Sequence, residues 1–375
     1  MFKKKIVFLT GTRADYGKLK ALIVAVKKVK KFDPIILATG MHMEKEYGKT
    51  YIEILKDFRD IKLHKFKNQK KNRSMDTVLA TTITSLNKIL KKIQPDLVIV
   101  HGDRIETLAA SIYCNLNNIL IAHIEGGEVS GTVDECIRHA TTKFSHIHFV
   151  SNQKAKKIIQ RLGEVDRNIY VMGSPEVDIM IKKDLPSINN AKKRYKIDFK
   201  EYCILLYHPV TTLKKREIIR QCIQLFSAVK KSKKKFIIIY PNNDTHSDII
   251  LNYIKKLKNN ASFKILPSIR FEYYLTLLKN SECIIGNSSS GIREAPVYGV
   301  KAINLGNRQK NRINHNNLIK NISFDQKKIL KEIINIEIKK KKSLFNFGKG
   351  NSSGIFIKTL KSKKLWMTNR QKYFA

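Results

Sequence analysis

The sequence predicts an α/β fold with two parallel-sheet units in series and a ligand cleft between them. Three observations predict it. Short, β-branched apolar blocks recur at regular spacing along the chain. Segments of helical periodicity separate them, so each strand is followed by a helix. The alternation pauses once, across the charged stretch Lys182–Lys200 with Pro186 and Asn189–Asn190, and then resumes.

The first set of strands is expected at Ile6–Leu9, Pro34–Ala38, Asp96–Val100, Ile119–Ile124, His146–Val150 and Tyr170–Met172. Uninterrupted apolar runs of this length belong to parallel strands buried on both faces. Between them, Ser74 to Ile93 reads as a helix, with Ser74 as N-cap and Asp76 as a first-turn acid. The second set is Cys203–Tyr207, Phe236–Tyr240, Phe263–Leu266, Cys283–Gly286 and Ala302–Leu305. A last helical stretch, Gly354–Leu365, is expected to return to the first unit. The domains are therefore placed at 1–182, 200–353 and 354–375, the last being the returning helix. Ligands of open parallel sheets bind outside the carboxyl ends of the strands, which puts the site at those ends.

Composition narrows the function. The 375 residues carry 73 Lys+Arg against 31 Asp+Glu, a net charge of +42, with 42% hydrophobic residues. That balance excludes a disordered polymer. No apolar run approaches the roughly 18–20 residues of a membrane span. The charge calls for an anionic partner, but 58 of the 73 cations are lysines spread over nearly every segment. Runs such as Lys231–Lys235 and Lys339–Lys342 fall between apolar blocks, as solvated faces do. With no helix-turn-helix, zinc knuckle or aromatic-rich strand, neither nucleic acid nor membrane is the expected partner. The five cysteines (114, 136, 203, 222 and 283) lie without close pairing and read as free thiols in a reducing compartment. The run Ile6–Leu9 is too short for a signal-peptide core, so a cytoplasmic location is expected.

The residues directly after the strands carry the chemistry. Gly11-Thr12-Arg13-Ala14-Asp15-Tyr16-Gly17 opens a helix and offers N–H groups and Arg13 to an anion. It lacks the G-x-G-x-x-G spacing of a dinucleotide site, and an ordinary strand–helix turn fits it as well. His101-Gly102-Asp103-Arg104 and His123-Ile124-Glu125-Gly126-Gly127-Glu128 follow the next strands, and a helix opening near Thr132 carries Asp134, Glu135 and Arg138. Asp134 and Glu135 also suit a helix dipole on their own. Together, Asp103, Glu125, Asp134 and Glu135 form a carboxylate cluster on one sheet edge, a setting for proton transfer near neutral pH.

In the second unit, His208 in Tyr207-His208-Pro209-Val210-Thr211 sits at a strand end, as a structural or a functional imidazole. Tyr240-Pro241-Asn242-Asn243-Asp244 follows the next strand. The segment Gly286-Asn287-Ser288-Ser289-Ser290-Gly291-Ile292-Arg293-Glu294 leads a strand into a helix and suits a diphosphate, with Glu294 placed for ribose hydroxyls. Gly306-Asn307-Arg308 follows the last strand, so Arg13, Arg104, Arg138, Arg293 and Arg308 all fall in these motifs. His146 and His148 share a strand face, but with no third ligand nearby they read as core or surface histidines. No metal or cofactor is expected.

These motifs, in this order from Gly11 to about Arg308, resemble those of the hydrolysing UDP-N-acetylglucosamine 2-epimerases of sialic-acid synthesis, together with relatives acting on UDP-N,N′-diacetylbacillosamine. The resemblance implies two Rossmann-like domains of the glycosyltransferase-B type. It implies Asp103, Glu125, Asp134 and Glu135 as catalytic acids and His208 as the essential histidine. It also implies that Arg13, Arg104, Ser288, Ser289, Glu294 and Arg308 hold the UDP, with Asn242 on the nucleotide side. Arg138 joins the substrate-binding set by its place in the carboxylate motif. Gly348-Lys349-Gly350 is similar to the family's C-terminal glycine turn, with Lys where an acid is common. The implied reaction eliminates UDP to give a 2-acetamidoglucal, then adds water to give free N-acetylmannosamine. A homodimer or homotetramer is expected. The competing readings are a non-hydrolysing 2-epimerase, a UDP-sugar glycosyltransferase of the same fold and, outside enzymes, a basic nucleic-acid binder.

Overall fold

A computed structural model describes residues 3–69, 74–182, 184–312, 317–336 and 342–375. Of the lysine run 339–342, only Lys342 lies within the described residues. The chain divides into two compact units: 1–128 with 134–182 and 347–375, and 129–133 with 183–346.

The first unit holds a seven-stranded sheet: β1 (Lys4–Thr10), β2 (Phe32–Ala38), β3 (Lys62–Lys65), β4 (Leu97–His101), β5 (Ile121–Ile124), β6 (Ile147–Val150) and β7 (Ile169–Val171). The order is β3-β2-β1-β4-β5-β6-β7, with every pair parallel. The second unit holds β8 (Cys203–Leu206), β9 (Phe236–Ile239), β10 (Phe263–Leu266), β11 (Cys283–Gly286), β12 (Lys301–Leu305) and β13 (Ile319–Ile322). Their order is β10-β9-β8-β11-β12-β13, again parallel throughout. Both sheets start at a central strand, grow to one side and then switch to the other. That is the doubly wound order, in which the switch point between the first and fourth strands opens a crevice at the carboxyl edge.

All eleven expected strands form, and β3 and β13 are additional. Both are edge strands of mixed polarity, Lys62-Leu63-His64-Lys65 and Ile319-Lys320-Asn321-Ile322, so neither presents a continuous apolar run. An edge strand keeps only one ladder partner and tolerates charge, which is how a sheet avoids pairing with other chains. The helix expected from Ser74 spans Met75–Ile93 with Ser74 as N-cap. Its hydroxyl meets Thr77 Oγ1 at 2.9 Å instead of capping a backbone N–H. Four cysteines are buried free thiols and Cys136 is exposed.

The return to the first unit begins at Phe347, seven residues before the expected Gly354. The reason is local packing. Ser174 N donates to Phe347 O at 2.6 Å. A Cβ on Gly348 would stand 2.8 Å from Gly173 Cα, so two glycines pass back to back where side chains do not fit. Helix Ser352–Lys361 then starts against Asp178, whose carboxylate accepts from Ser352 N at 2.8 Å, Ser353 N at 2.7 Å and Ser353 Oγ at 2.7 Å. Phe356 buries its ring against Phe149 and Phe8, at centroid distances of 4.9 and 6.4 Å. The expected single helix is broken at Ser362 into Ser352–Lys361 and Lys363–Trp366.

Segment 129–133 belongs with the second unit because Gly131 N donates to Arg308 O at 3.0 Å. A Cβ there would lie 2.0 Å from Asn307 O.

Asp178 caps a helix across 174 residues of sequence, so its removal tests the returning segment. Asp178→Ala is expected to lower unfolding free energy by about 1–3 kcal/mol. The readout is a lower midpoint in urea; an unchanged midpoint would show that water serves those N–H groups equally well.

Candidate active site

In the first unit, Asp103 and Glu125 follow neighbouring strands, β4 and β5, and stand in contrasting surroundings. Asp103, partly exposed, forms an ion pair with Arg138, which is 1% exposed. Arg138 projects from helix Val133–Phe144 and also donates through Nη1 to Glu128 O at 2.7 Å. Burial works to lower the Arg138 pKa, but Asp103 and Glu128 more than reverse it, and the guanidinium ends above its ordinary value. A guanidinium that stays charged holds the Asp103 carboxylate in its ionised form.

Glu125 is the opposite case: a buried carboxyl group on a strained residue. Its φ of +66° is left-handed, a conformation costing a β-carbon residue on the order of 1 kcal/mol. Gly127, at φ +76°, completes the turn; a Cβ there would meet Ala155 O at 2.3 Å. Around Glu125 are Ser174 Oγ on Oε1, with His101 Nε2 at 3.3 Å and Lys18 Nζ at 3.7 Å from Oε2. Ser174 Oγ also meets Glu176 Oε2 at 2.6 Å, and Lys18 Nζ lies 3.4 Å from Glu176 Oε1. Lys18, His101, Ser174 and Glu176 were not among the expected site residues. Gly173-Ser174-Pro175-Glu176 follows β7 after Met172, so the strand-end criterion that picked out Asp103 and Glu125 reaches it as well.

Asp134 and Glu135 occupy the first turn of helix Val133–Phe144, one turn before Arg138 and His139. Glu135 Oε1 is 3.7 Å from His139 Nε2, and Asp134 adds to the negative field on Arg138. Arg13 and Arg104 are placed at their strand ends but engaged by carboxylates, Arg13 Nη2 with Glu53 Oε1 at 2.5 Å and Arg104 Nε 3.5 Å from Glu106 Oε2. Below the Gly102–Asp103 turn, His123 Nε2 is 2.7 Å from Gly102 O, so that nitrogen is the donor and Nδ1 accepts from Thr142 Oγ1 at 3.0 Å. His146 Nε2 meets Arg370 O and His148 Nε2 meets Glu164 Oε2, at 2.8 and 2.9 Å.

The second unit gathers its residues around β8, β9 and β11. A Cβ on Gly286 would fall 2.0 Å from Leu206 O, so the chain can close there only on glycine. That close approach lets Asn287 clamp His208: Asn287 Oδ1 accepts from His208 N and Nδ2 donates to His208 O, both at 2.8 Å. Asn242 contributes its main chain, donating N–H to His208 Nδ1 at 3.0 Å. With Nδ1 an acceptor, the neutral ring carries its proton on Nε2. Arg308 Nη1 and Gln309 Nε2 both donate to Asn287 O, at 3.3 and 3.0 Å.

The helix expected after the serines is a single turn, Ser290–Arg293, which runs into the 3-10 segment Ala295–Tyr298. Ser290 Oγ bonds Tyr274 Oη, and Ser288 Oγ accepts from Ser290 N at 3.3 Å, while Ser289 is the N-cap. Glu294 is buried. Burial first, and then its charge, raise the phenol pKa values of Tyr274 and Tyr298.

The two doubly wound parallel-sheet units are of the glycosyltransferase-B type. The chain belongs to the UDP-N-acetylglucosamine 2-epimerase family, whose model matches residues 24–361. It is similar to a UDP-N-acetylglucosamine 2-epimerase of Neisseria meningitidis, 43% identical over 82% of this chain and 81% of that protein. It is 33% identical to the UDP-N,N′-diacetylbacillosamine 2-epimerase (hydrolyzing) of Legionella pneumophila, over 84% of each chain. The Methanocaldococcus jannaschii UDP-GlcNAc 2-epimerase, solved with UDP-GlcNAc and UDP, superposes with a TM-score of 0.78 at 24% identity, covering 95% of this chain and 99% of that one.

His123 provides a test of the turn it supports. Burial, the largest influence, pushes its pKa from 6.5 down to about 3. The unfolded chain therefore takes up a proton before the folded one, and stability present above pH 6.5 is lost as pH falls toward 3. From pH 7 to pH 5, His123 is expected to cost about 2 kcal/mol. Urea unfolding of His123→Gln at the two pH values is expected to show a smaller loss than the parent; equal losses would remove His123 as the cause.

Proposed function

We infer that this protein is a hydrolysing 2-epimerase converting UDP-N-acetylglucosamine and water to N-acetylmannosamine and UDP, as the first step of sialic-acid-type sugar synthesis. The observation that carries the reading is the pair of carboxyl groups after β4 and β5. Asp103 is paired with a buried guanidinium, and Glu125 is buried beside a second carboxyl group. Neighbouring acids in environments that push their proton affinities apart divide the roles of base and acid between them. Asp103 and Glu125 carry the proton chemistry at C2 of the sugar, and Asp134 and Glu135 support water and proton delivery. Elimination releases UDP from C1 and leaves a glycal; water adds at C1 and a proton returns to C2.

In the second unit, His208 presents an Nε2–H to the departing phosphate or the entering water. Arg308, Ser288, Ser289 and Glu294 hold the nucleotide, a role the family resemblance implies for Arg13 and Arg104 as well. The same chemistry on UDP-N,N′-diacetylbacillosamine is the second reading, favoured by the Legionella relative. The two sugars share the C2 acetamido group and differ at C4 and C6.

Incubation with each UDP-sugar in deuterated water, followed by NMR, is expected to show UDP and, from UDP-N-acetylglucosamine, free N-acetylmannosamine with deuterium at C2. UDP-N-acetylmannosamine as product would replace this reading with the non-hydrolysing one, and turnover only with an added acceptor would point to a transferase. Asp103→Asn is expected to lower kcat by about a hundredfold or more with UDP affinity retained.

A further inference from the structure

Ser174 has one hydroxyl hydrogen and two carboxyl neighbours. Its Oγ bonds Glu125 Oε1 and lies 2.6 Å from Glu176 Oε2. The hydroxyl can donate to only one of them, so the other contact is a hydrogen bond only if that carboxyl group is the donor. The surroundings agree. Glu125 is 4% exposed, Glu176 1% and Ser174 0%. Lys18 lies between the two carboxyl groups, at 3.7 Å from one and 3.4 Å from the other. Two buried carboxyl groups bridged by one hydroxyl repel each other less when they share a proton.

The position of Ser174 supports a dedicated role. It is the N-cap residue of helix Pro175–Met180, where a serine hydroxyl ordinarily accepts from a helix N–H. It makes no such bond and turns to the two carboxyl groups instead.

We propose that Glu125, Ser174 and Glu176 form a buried proton relay, with Ser174 and Glu176 as positioning residues that keep Glu125 supplied as the acid of the reaction. The proposal rests on the epimerase reading above. In the relay, the Glu176 carboxyl proton passes to Ser174 Oγ while the Ser174 hydrogen passes to Glu125 Oε1. Glu176 ends as a carboxylate, Ser174 is again a hydroxyl, and Glu125 is a carboxylic acid ready to protonate C2. After transfer, Glu125 takes a proton from solvent and the reverse sequence restores Glu176. Asp103, held ionised by Arg138, is left as the base.

Charged groups facing the relay include Lys18 from helix Arg13–Lys27 and His101 from the end of β4. Asp178, also on that helix, is occupied by the start of Ser352–Lys361.

Glu176→Gln keeps the size and a donor but carries no transferable proton. It is expected to lower kcat by about tenfold or more with KM nearly unchanged. Removing the like charge also lets Glu125 ionise more easily, so the alkaline limb of the pH profile moves to lower pH by about one unit. Ser174→Ala is expected to show the same loss, and Ser174→Thr, which restores a hydroxyl, to recover most of it. A purely structural role would not shift the pH limb or be rescued by threonine. Carboxyl-carbon NMR of glutamate-labelled protein at neutral pH is expected to show one buried protonated carboxyl group in the parent and none in Glu176→Gln. Both carboxyl groups ionised in the parent, or unchanged kcat and pH profile in the variants, would overturn the relay. The spectrum needs no substrate, so it decides the shared proton even if neither UDP-sugar turns over, an outcome that sinks the epimerase reading alone.

Discussion

Burying the Glu125 carboxyl group is the constraint on which the first unit's architecture turns. A carboxylate that is 4% exposed is costly unless hydrogen bonds and charge surround it. The partners come from distant parts of the chain: Lys18 from the helix after β1, His101 from β4, and Ser174 and Glu176 from the segment after β7. None of these segments can move without exposing or unpairing the charge. The left-handed φ of Glu125 adds local strain, which the ladder bond from Glu125 N to Phe149 O at 2.9 Å helps to hold. The returning segment braces the same place, since Phe347 O takes the Ser174 N–H and Asp178 caps the following helix.

The second unit solves a different problem, the orientation of a ring. His208 is held on both sides of its backbone by one asparagine side chain, and its Nδ1 is occupied by a main-chain N–H. A main-chain donor cannot change its protonation state, so the tautomer is settled by the fold rather than by pH. Asn287 in turn is held through its carbonyl by Arg308 and Gln309. One arginine read from the sequence as a phosphate ligand thus also supports the residue that positions the imidazole.

The fold was legible because parallel strands buried on both faces leave an unmistakable apolar trace. Every such strand, from Ile6–Leu9 to Ala302–Leu305, was visible. The strands that were not, β3 and β13, are those whose physics demands the least hydrophobicity. The returning segment shows a second limit. Its start is set by glycine-to-glycine contact and by a carboxylate 174 residues away, and local sequence records neither.

For the site, the positions of Asp103 and Glu125 after β4 and β5 followed from the strand-end rule alone. What that rule could not supply is which partner each residue meets. Arg13 and Arg104 appear as free cations in the sequence, yet each is met by a glutamate in the folded unit, Glu53 and Glu106. Glu125 shows no hint in sequence of its tie to Ser174, 49 residues on.

The chemical nature of each neighbour explains why two carboxyl groups only one strand apart differ. A guanidinium cannot give up its proton near neutral pH, so Arg138 can stabilise the Asp103 carboxylate but never protonate it. A hydroxyl accepts and donates in the same act, so Ser174 can hand a proton to Glu125 while taking one from Glu176. Exchanging these partners would exchange the proton affinities: a carboxyl group beside arginine is held as the carboxylate, and one at the end of a hydroxyl bridge can receive a proton. An elimination that takes a proton from C2 and a hydration that returns one, as proposed above, would call for both functions, and adjacent strand ends set the two carboxyl groups in these two environments.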